Sequence, residues 1–162
     1  MRKCFNMKNQ NYSILEGCFQ SVTPLLDRSV NILMFRDPDD NEYNILINRA
    51  TLEEDQKPED FCEAQIELLR NTLPGFQLEG KLLKSEIGPA RLSVVQIANQ
   101  YLKDGNKVRQ VQSIIKLPWH AKTNYNEREI IIFTLNANQD FTEYQRKHYV
   151  HIINSFQPAE SL

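Results

Sequence analysis

The segments on either side of Lys103-Asp104-Gly105-Asn106 constrain this chain more than any other feature. Asp-Gly between two runs rich in β-branched residues is hairpin chemistry, so Arg91 to Tyr101 and Lys107 to Leu117 read as paired antiparallel strands. Two further segments, Phe76 to Ser85 and Glu129 to Asn136, extend the pair into a meander, with Gly88-Pro89 as the break after the first. Earlier in the chain, Tyr12 to Phe19, Val30 to Phe35 and Tyr43 to Arg49 also read as extended. The turn residues Asp37-Pro38-Asp39-Asp40-Asn41 join the last two as a hairpin.

Two helices interrupt this pattern. The first begins at Pro58, whose fixed φ suits the first helical position, and ends near Leu73 at the stop Pro74-Gly75. Glu59 and Asp60 sit where the helix dipole favours negative charge. The acidic cluster Glu53, Glu54, Asp55, Glu59 and Asp60 therefore needs no metal to explain it. The second helix opens with Asp140-Phe141-Thr142-Glu143, read as an Asp-led capping box, and runs to about Phe156. Antiparallel hairpins with two main helices make an α+β fold, a sheet sandwich. At 162 residues the chain has room for one core. Residues 1–11 read as an N-terminal tail, 12–157 as a single domain, and 158–162 as a C-terminal tail.

Several function classes fall away. With 19 basic and 21 acidic side chains, the surface offers no cationic footprint for nucleic acid. The longest apolar run in the body of the chain, Ile130 to Phe133, is far short of the roughly 20 residues of a membrane helix, so direct membrane insertion is not expected. Met1-Arg2-Lys3 continues into Lys8, Asn9, Gln10 and Asn11 rather than an apolar stretch, and the expected location is the cytoplasm. Cys4, Cys18 and Cys62 lack CxxC spacing and read as reduced thiols. The five glycines build no phosphate-cradling loop, and no cofactor is expected. No G-x-S-x-G surrounds a serine, and Cys62 lies among apolar residues where a thiol is inert. His148 and His151 stand at i, i+3, but the helical wheel makes one packed and the other solvated, so neither a catalytic nor a metal site is assigned. Trp119 reads either as an exposed loop aromatic or as a core residue closing one end of the sandwich.

Glutamines on apolar faces carry the remaining information. At 100° per residue, Gln65 falls in the middle of the apolar arc of Phe61, Cys62, Ala64, Ile66, Leu68, Leu69 and Leu73, where an unpartnered amide would cost about 1–3 kcal/mol. Period-2 alternation places Gln110 and Gln112 in one row with Val108 and Ile114. Such faces are either half-exposed or served by a partner, and Gln145, central in the second helix's apolar arc, shows that glutamine on an apolar face is not diagnostic here. The strand Val30 to Phe35 is apolar on both faces, so with only two helices one sheet face is left to meet a partner.

The runs Tyr12-Ser13-Ile14-Leu15-Glu16-Gly17, Pro24, Asp27-Arg28-Ser29-Val30-Asn31-Ile32-Leu33 and Asn44-Ile45-Leu46-Ile47-Asn48-Arg49 resemble the opening of the DcrB-like family, and within it the Eag chaperones of type VI secretion. Leu73-Pro74-Gly75-Phe76, the Gly105–Gln112 hairpin and Ser155-Phe156 extend the similarity over about residues 12–157. The resemblance implies a PsbP/Mog-like fold and a homodimer with a concave apolar groove. It also implies a cytoplasmic role: shielding the N-terminal transmembrane helices of an effector of Rhs or PAAR type and aiding its loading onto the secretion spike. Carried over by position, the groove lining is Val30, Ile32 and Leu46, and the client-facing amides are Gln65 and Gln112, with Gln110 as the alternative in a register shifted by two. The chain departs from the family in having Leu25-Leu26 where an aromatic is usual, and neither the segment before Tyr12 nor Pro118–Arg128 has a counterpart. The second reading is a general protein-interaction module of the same fold.

Overall fold

The computed structural model describes residues 9–160. A hairpin of β1 (Gln10–Ile14) and β2 (Gly17–Ser21) leads to β3 (Asn31–Arg36), β4 (Glu42–Thr51) and the helix α1 (Pro58–Thr72). Then come β5 (Gln77–Leu78), β6 (Leu83–Ile87), β7 (Leu92–Lys103), β8 (Asn106–Lys116), β9 (Glu129–Ala137) and the helix α2 (Glu143–Ser155). β1 and β2 form a sheet of their own. The other seven strands form one antiparallel sheet in the order β3-β4-β9-β8-β7-β5, with β6 also on β7.

The hairpin that anchors the sequence reading also anchors the sheet. β7 pairs with β8 from Val94–Ile115 to Lys103–Asn106, and the two turn residues Asp104 (φ 52°) and Gly105 (φ 78°) are both left-handed, as a tight hairpin requires. Strand alternation then sends neighbouring residues to opposite faces. On one, Ile45, Ile115, Phe133 and Leu135 pack under Tyr149 and Ile153 of α2. On the other, Val95, Ile97, Ile114 and Ile130 pack under Cys62 of α1. The fold is thus an α+β sandwich: one sheet between two helices.

α1 ends where Pro74-Gly75 predicts. Gly75 has φ +65°, and a Cβ there would lie 2.9 Å from Leu102 Cγ, so both the turn and the closeness of β7 require glycine.

Four expectations need correction. Tyr12 to Phe19 is not one strand: it folds back at Leu15-Glu16, pairing Tyr12 with Phe19, whose rings stack at 5.1 Å. β1 also starts at Gln10, inside the expected tail, because backbone pairing with Gln20 and Ser21 does not depend on side-chain polarity. Residues 1–8 of the expected N-terminal tail and residues 161–162 of the C-terminal one lie outside the described residues. Phe76 to Ser85 splits into β5 and β6 around Gly80 (φ +82°). Finally, α2 is capped by Thr142 rather than Asp140: the Thr142 hydroxyl accepts from the Gln145 N–H, and the Gln145 side chain accepts from the Thr142 N–H, each at 3.2 Å. Thr-x-x-Gln is the complete reciprocal box, two residues further on than Asp140.

Candidate functional site

The two sheet faces are covered unequally. β3 to β7 share rows set by register, and on the α1 face one row runs Ile32–Leu46–Thr134–Gln112–Ile97. The next runs Met34–Asn44–Asn136–Gln110–Asn99. α1 seats on the β7–β8 end of these rows through Cys62. It does not reach the β3–β4 end: Ile32 is 63% and Met34 70% exposed, Val30 just before β3 is 57% exposed, and Leu46 is half-buried.

α1 forms one wall of this opening. Its Glu63, Glu67 and Arg70 flank faces the β5–β6 side, lining a 460 Å³ hollow with Leu78 and Leu82. At 100° per residue the opposite flank carries Phe61, Gln65 and Leu68, which therefore overhangs the open part of the sheet. Leu68 is 54% exposed, and Gln65 is half-buried. Gln65 is thus not a fully buried amide in the centre of a sealed arc. The helix buries only Pro58 and Cys62 completely, so its contact line runs through Cys62 and leaves Gln65 on the flank.

The floor is apolar toward β3 and polar in the middle. Gln110 Nε2 donates to Asn136 Oδ1 at 2.6 Å, and Asn136 Nδ2 donates to Asn44 Oδ1 at 2.9 Å, a ladder across three strands. The next member of that row, Asn99, is fully buried with neither amide atom hydrogen-bonded. A hollow of about 350 Å³ opens beside the ladder, lined by Met34, Asn44, Leu46, Gln110 and Asn136. Gln110 and Gln112, two residues apart on β8, occupy the same face of the sheet. Gln110 is tied into the ladder, whereas Gln112 is half-buried in the row that leads to Ile32.

Register puts Ile32, Leu46, Gln112 and Gln110 on one sheet face, where Leu46 and Gln110 line the same hollow, while Val30 precedes β3 and Gln65 lies on a flank of α1. Met34, Asn44, Thr134, Asn136 and Leu68 join them and were not assigned from sequence. Period-2 alternation from Leu46 to Asn44 and from Ile32 to Met34 carried that signal.

The remaining reactive groups lie elsewhere. Burial pushes the Cys62 thiol up to about 11, with Glu63 and Glu59 adding to the effect. His148 packs edge-on to Phe35 at 4.8 Å and hydrogen-bonds Tyr43 Oη at 2.7 Å, while His151 is exposed. His120 belongs to the loop after β8, where its Nδ1 accepts from the Lys122 and Thr123 N–H groups. His120 and His148 therefore stand at opposite ends of the sheet. Trp119 is 43% exposed beside Tyr125, a loop aromatic and not a core plug. Among the described residues no group of three or more His, Cys, Asp or Glu side chains is placed to hold a metal, and no helix is long and apolar enough to cross a membrane.

The architecture defines an α+β domain whose sheet is covered more fully on the α2 face than on the α1 face. The family model of DcrB matches residues 16–155, and the chain belongs to the DcrB family. The crystal structure of PA94 from Pseudomonas aeruginosa, described as a protein of unknown function, has the same fold: TM-score 0.70 at 19% identity, over 94% of this chain and 99% of that one. LpqN of Mycobacterium tuberculosis, described as involved in cell envelope biogenesis, aligns at TM-score 0.45 and 20% identity, over 81% of this chain and 76% of that one. No curated protein gives a significant match.

Proposed function

We propose that this protein is a non-catalytic cytoplasmic chaperone of the Eag kind, which receives the N-terminal transmembrane helices of a type VI secretion effector in the open groove and works as a homodimer. The observation that carries the reading is the half-covered sheet face. Exposed Ile32 and Met34 share a sheet face with the amide ladder, Val30 just before β3 is also exposed, and α1 carries half-buried Gln65 and exposed Leu68 on the same side of the sheet. An apolar helix laid there loses water contact worth about 25 cal/mol per Å². Its own polar groups would find partners in Gln65 and Gln112, as such groups do between membrane helices. The floor is only partly apolar, which favours a berth that can release its occupant over one that maximises burial.

Co-expression with a fragment bearing an effector's N-terminal apolar helices tests the reading. The wild-type chain is expected to hold the fragment soluble, and Ile32→Glu and Gln65→Glu to lose it. Retention by both variants would overturn the groove assignment. Capture only of folded proteins lacking apolar helices would favour a general interaction module instead.

A further inference from the structure

The β1–β2 hairpin is amphipathic, and this chain leaves its apolar side bare. Register places Tyr12, Ile14 and Phe19 on one face, with Asn11, Ser13, Cys18 and Gln20 on the other. Ile14 and Phe19 are each about half exposed, and Leu15 at the tip and Leu25 in the following segment are essentially fully exposed. Among the described residues, no hydrogen bond or ion pair joins residues 10–21 to the seven-stranded sheet. A lone two-stranded hairpin is marginal in water, so this one needs a surface to dock on.

The same chain presents such a surface. β3 is the outer strand of the large sheet, with one backbone edge unpaired. It runs Asn-Ile-Leu-Met-Phe-Arg, with no proline or lysine and a single charge, at its end. The opposite edge is protected in the usual way, by the two-residue β5 and by β6 with Lys84 and Glu86. An unguarded edge and an unhoused hairpin in one chain are self-complementary, the condition for a closed twofold pair. The apolar residues of the arm and its linker, Ile14, Leu15, Phe19, Val22, Leu25 and Leu26, are all half to fully exposed, an apolar surface of the kind a second copy would cover.

We infer that the β1–β2 hairpin is an exchange arm: each copy lays its hairpin along the β3 edge of a second copy, so that the two large sheets are joined at that edge. The inference rests on the proposal that two copies associate, and adds how they do so. Because β3 also carries Ile32 and Met34, the exchanged arm would border the open groove of its partner.

Light scattering on the full chain, with amide exchange read along β3, tests the inference. The wild type is expected to be a dimer with protected β3 amides. Leu15→Asp/Phe19→Asp is expected to keep its far-UV circular dichroism, weaken the dimer about 10-fold or more and release the β3 amides. Val150→Asp, at an apolar residue exposed on α2, is expected to change neither. A dimer that survives the double substitution, or whose β3 amides exchange as a free edge, overturns the arm while leaving the dimer. A wild-type chain that is monomeric overturns both, and the client-fragment assay remains an independent test of the groove.

Discussion

The two faces of the sheet are built from the same strands by the same alternation, yet one is covered more fully than the other. Under α2, the packed cluster reaches from Tyr43 and Ile45 of β4 to Val94 of β7. Tyr149 is buried, its hydroxyl donating to the Phe133 carbonyl at 3.1 Å and accepting from Ser113 Oγ at 2.6 Å. Under α1, the packed cluster takes in Ile130 of β9 and Leu52 just after β4, but toward β3 the same face carries an amide ladder and exposed aliphatic side chains. A face that only had to be stable would place its helix centrally. This one holds α1 to the side.

The comparison predicts that stability resides on the α2 face and binding on the α1 face. Tyr149→Ala should be the most damaging change, lowering stability by about 3–5 kcal/mol in urea titration through the cavity and the lost hydrogen bonds. Tyr149→Phe should cost about 1–2 kcal/mol, since Ser113 then loses a buried partner. Gly75→Ala should cost about 1–2 kcal/mol, because α1's position depends on a left-handed residue pressed against Leu102. Ile32→Glu, in contrast, should stay within about 0.5 kcal/mol of wild type while abolishing client retention. A large loss of stability at Ile32 would break the division between the faces.

A pH scan sharpens the same division. Burial pushes the Asp37 carboxyl up, but hydrogen bonds from the Asn41 N–H, the Thr142 hydroxyl, the Asn41 side chain and the Asp39 N–H outweigh it and leave its pKa lowered. The same carboxylate accepts from Gln145 Nε2 at the α2 cap. A depressed carboxyl contributes stability above its unfolded value of about 3.9 and loses it as pH falls through the folded value. Acid unfolding below about pH 4 should therefore release α2 early, and Asp37→Asn should flatten that part of the curve.

How far the sequence revealed this differs by element. Asp104-Gly105 and Pro74-Gly75 each require a special backbone conformation, so the β7–β8 hairpin and the end of α1 were legible. The β1–β2 turn was not, because Leu15-Glu16 carries no turn chemistry before Gly17. Gln145 looked like an odd buried amide and is one: it closes the α2 cap and reaches Asp37. Gln65 looked the same and is only half-buried, since a helical wheel gives the arc but not which line of it touches the sheet. The groove's apolar floor was readable from alternation on β3, whereas the Gln110–Asn136–Asn44 ladder depends on register among three strands distant in sequence.

One strand allows the two faces to be compared directly. Ile32 and Leu33 are neighbours on β3 with side chains on opposite faces, both exposed to solvent. A photoreactive residue placed at position 32 should crosslink to the apolar helices of a bound client fragment, and the same residue at position 33 should not. Equal adducts from both positions, or adducts from 33 alone, would contradict the assignment of the α1 face as the client groove.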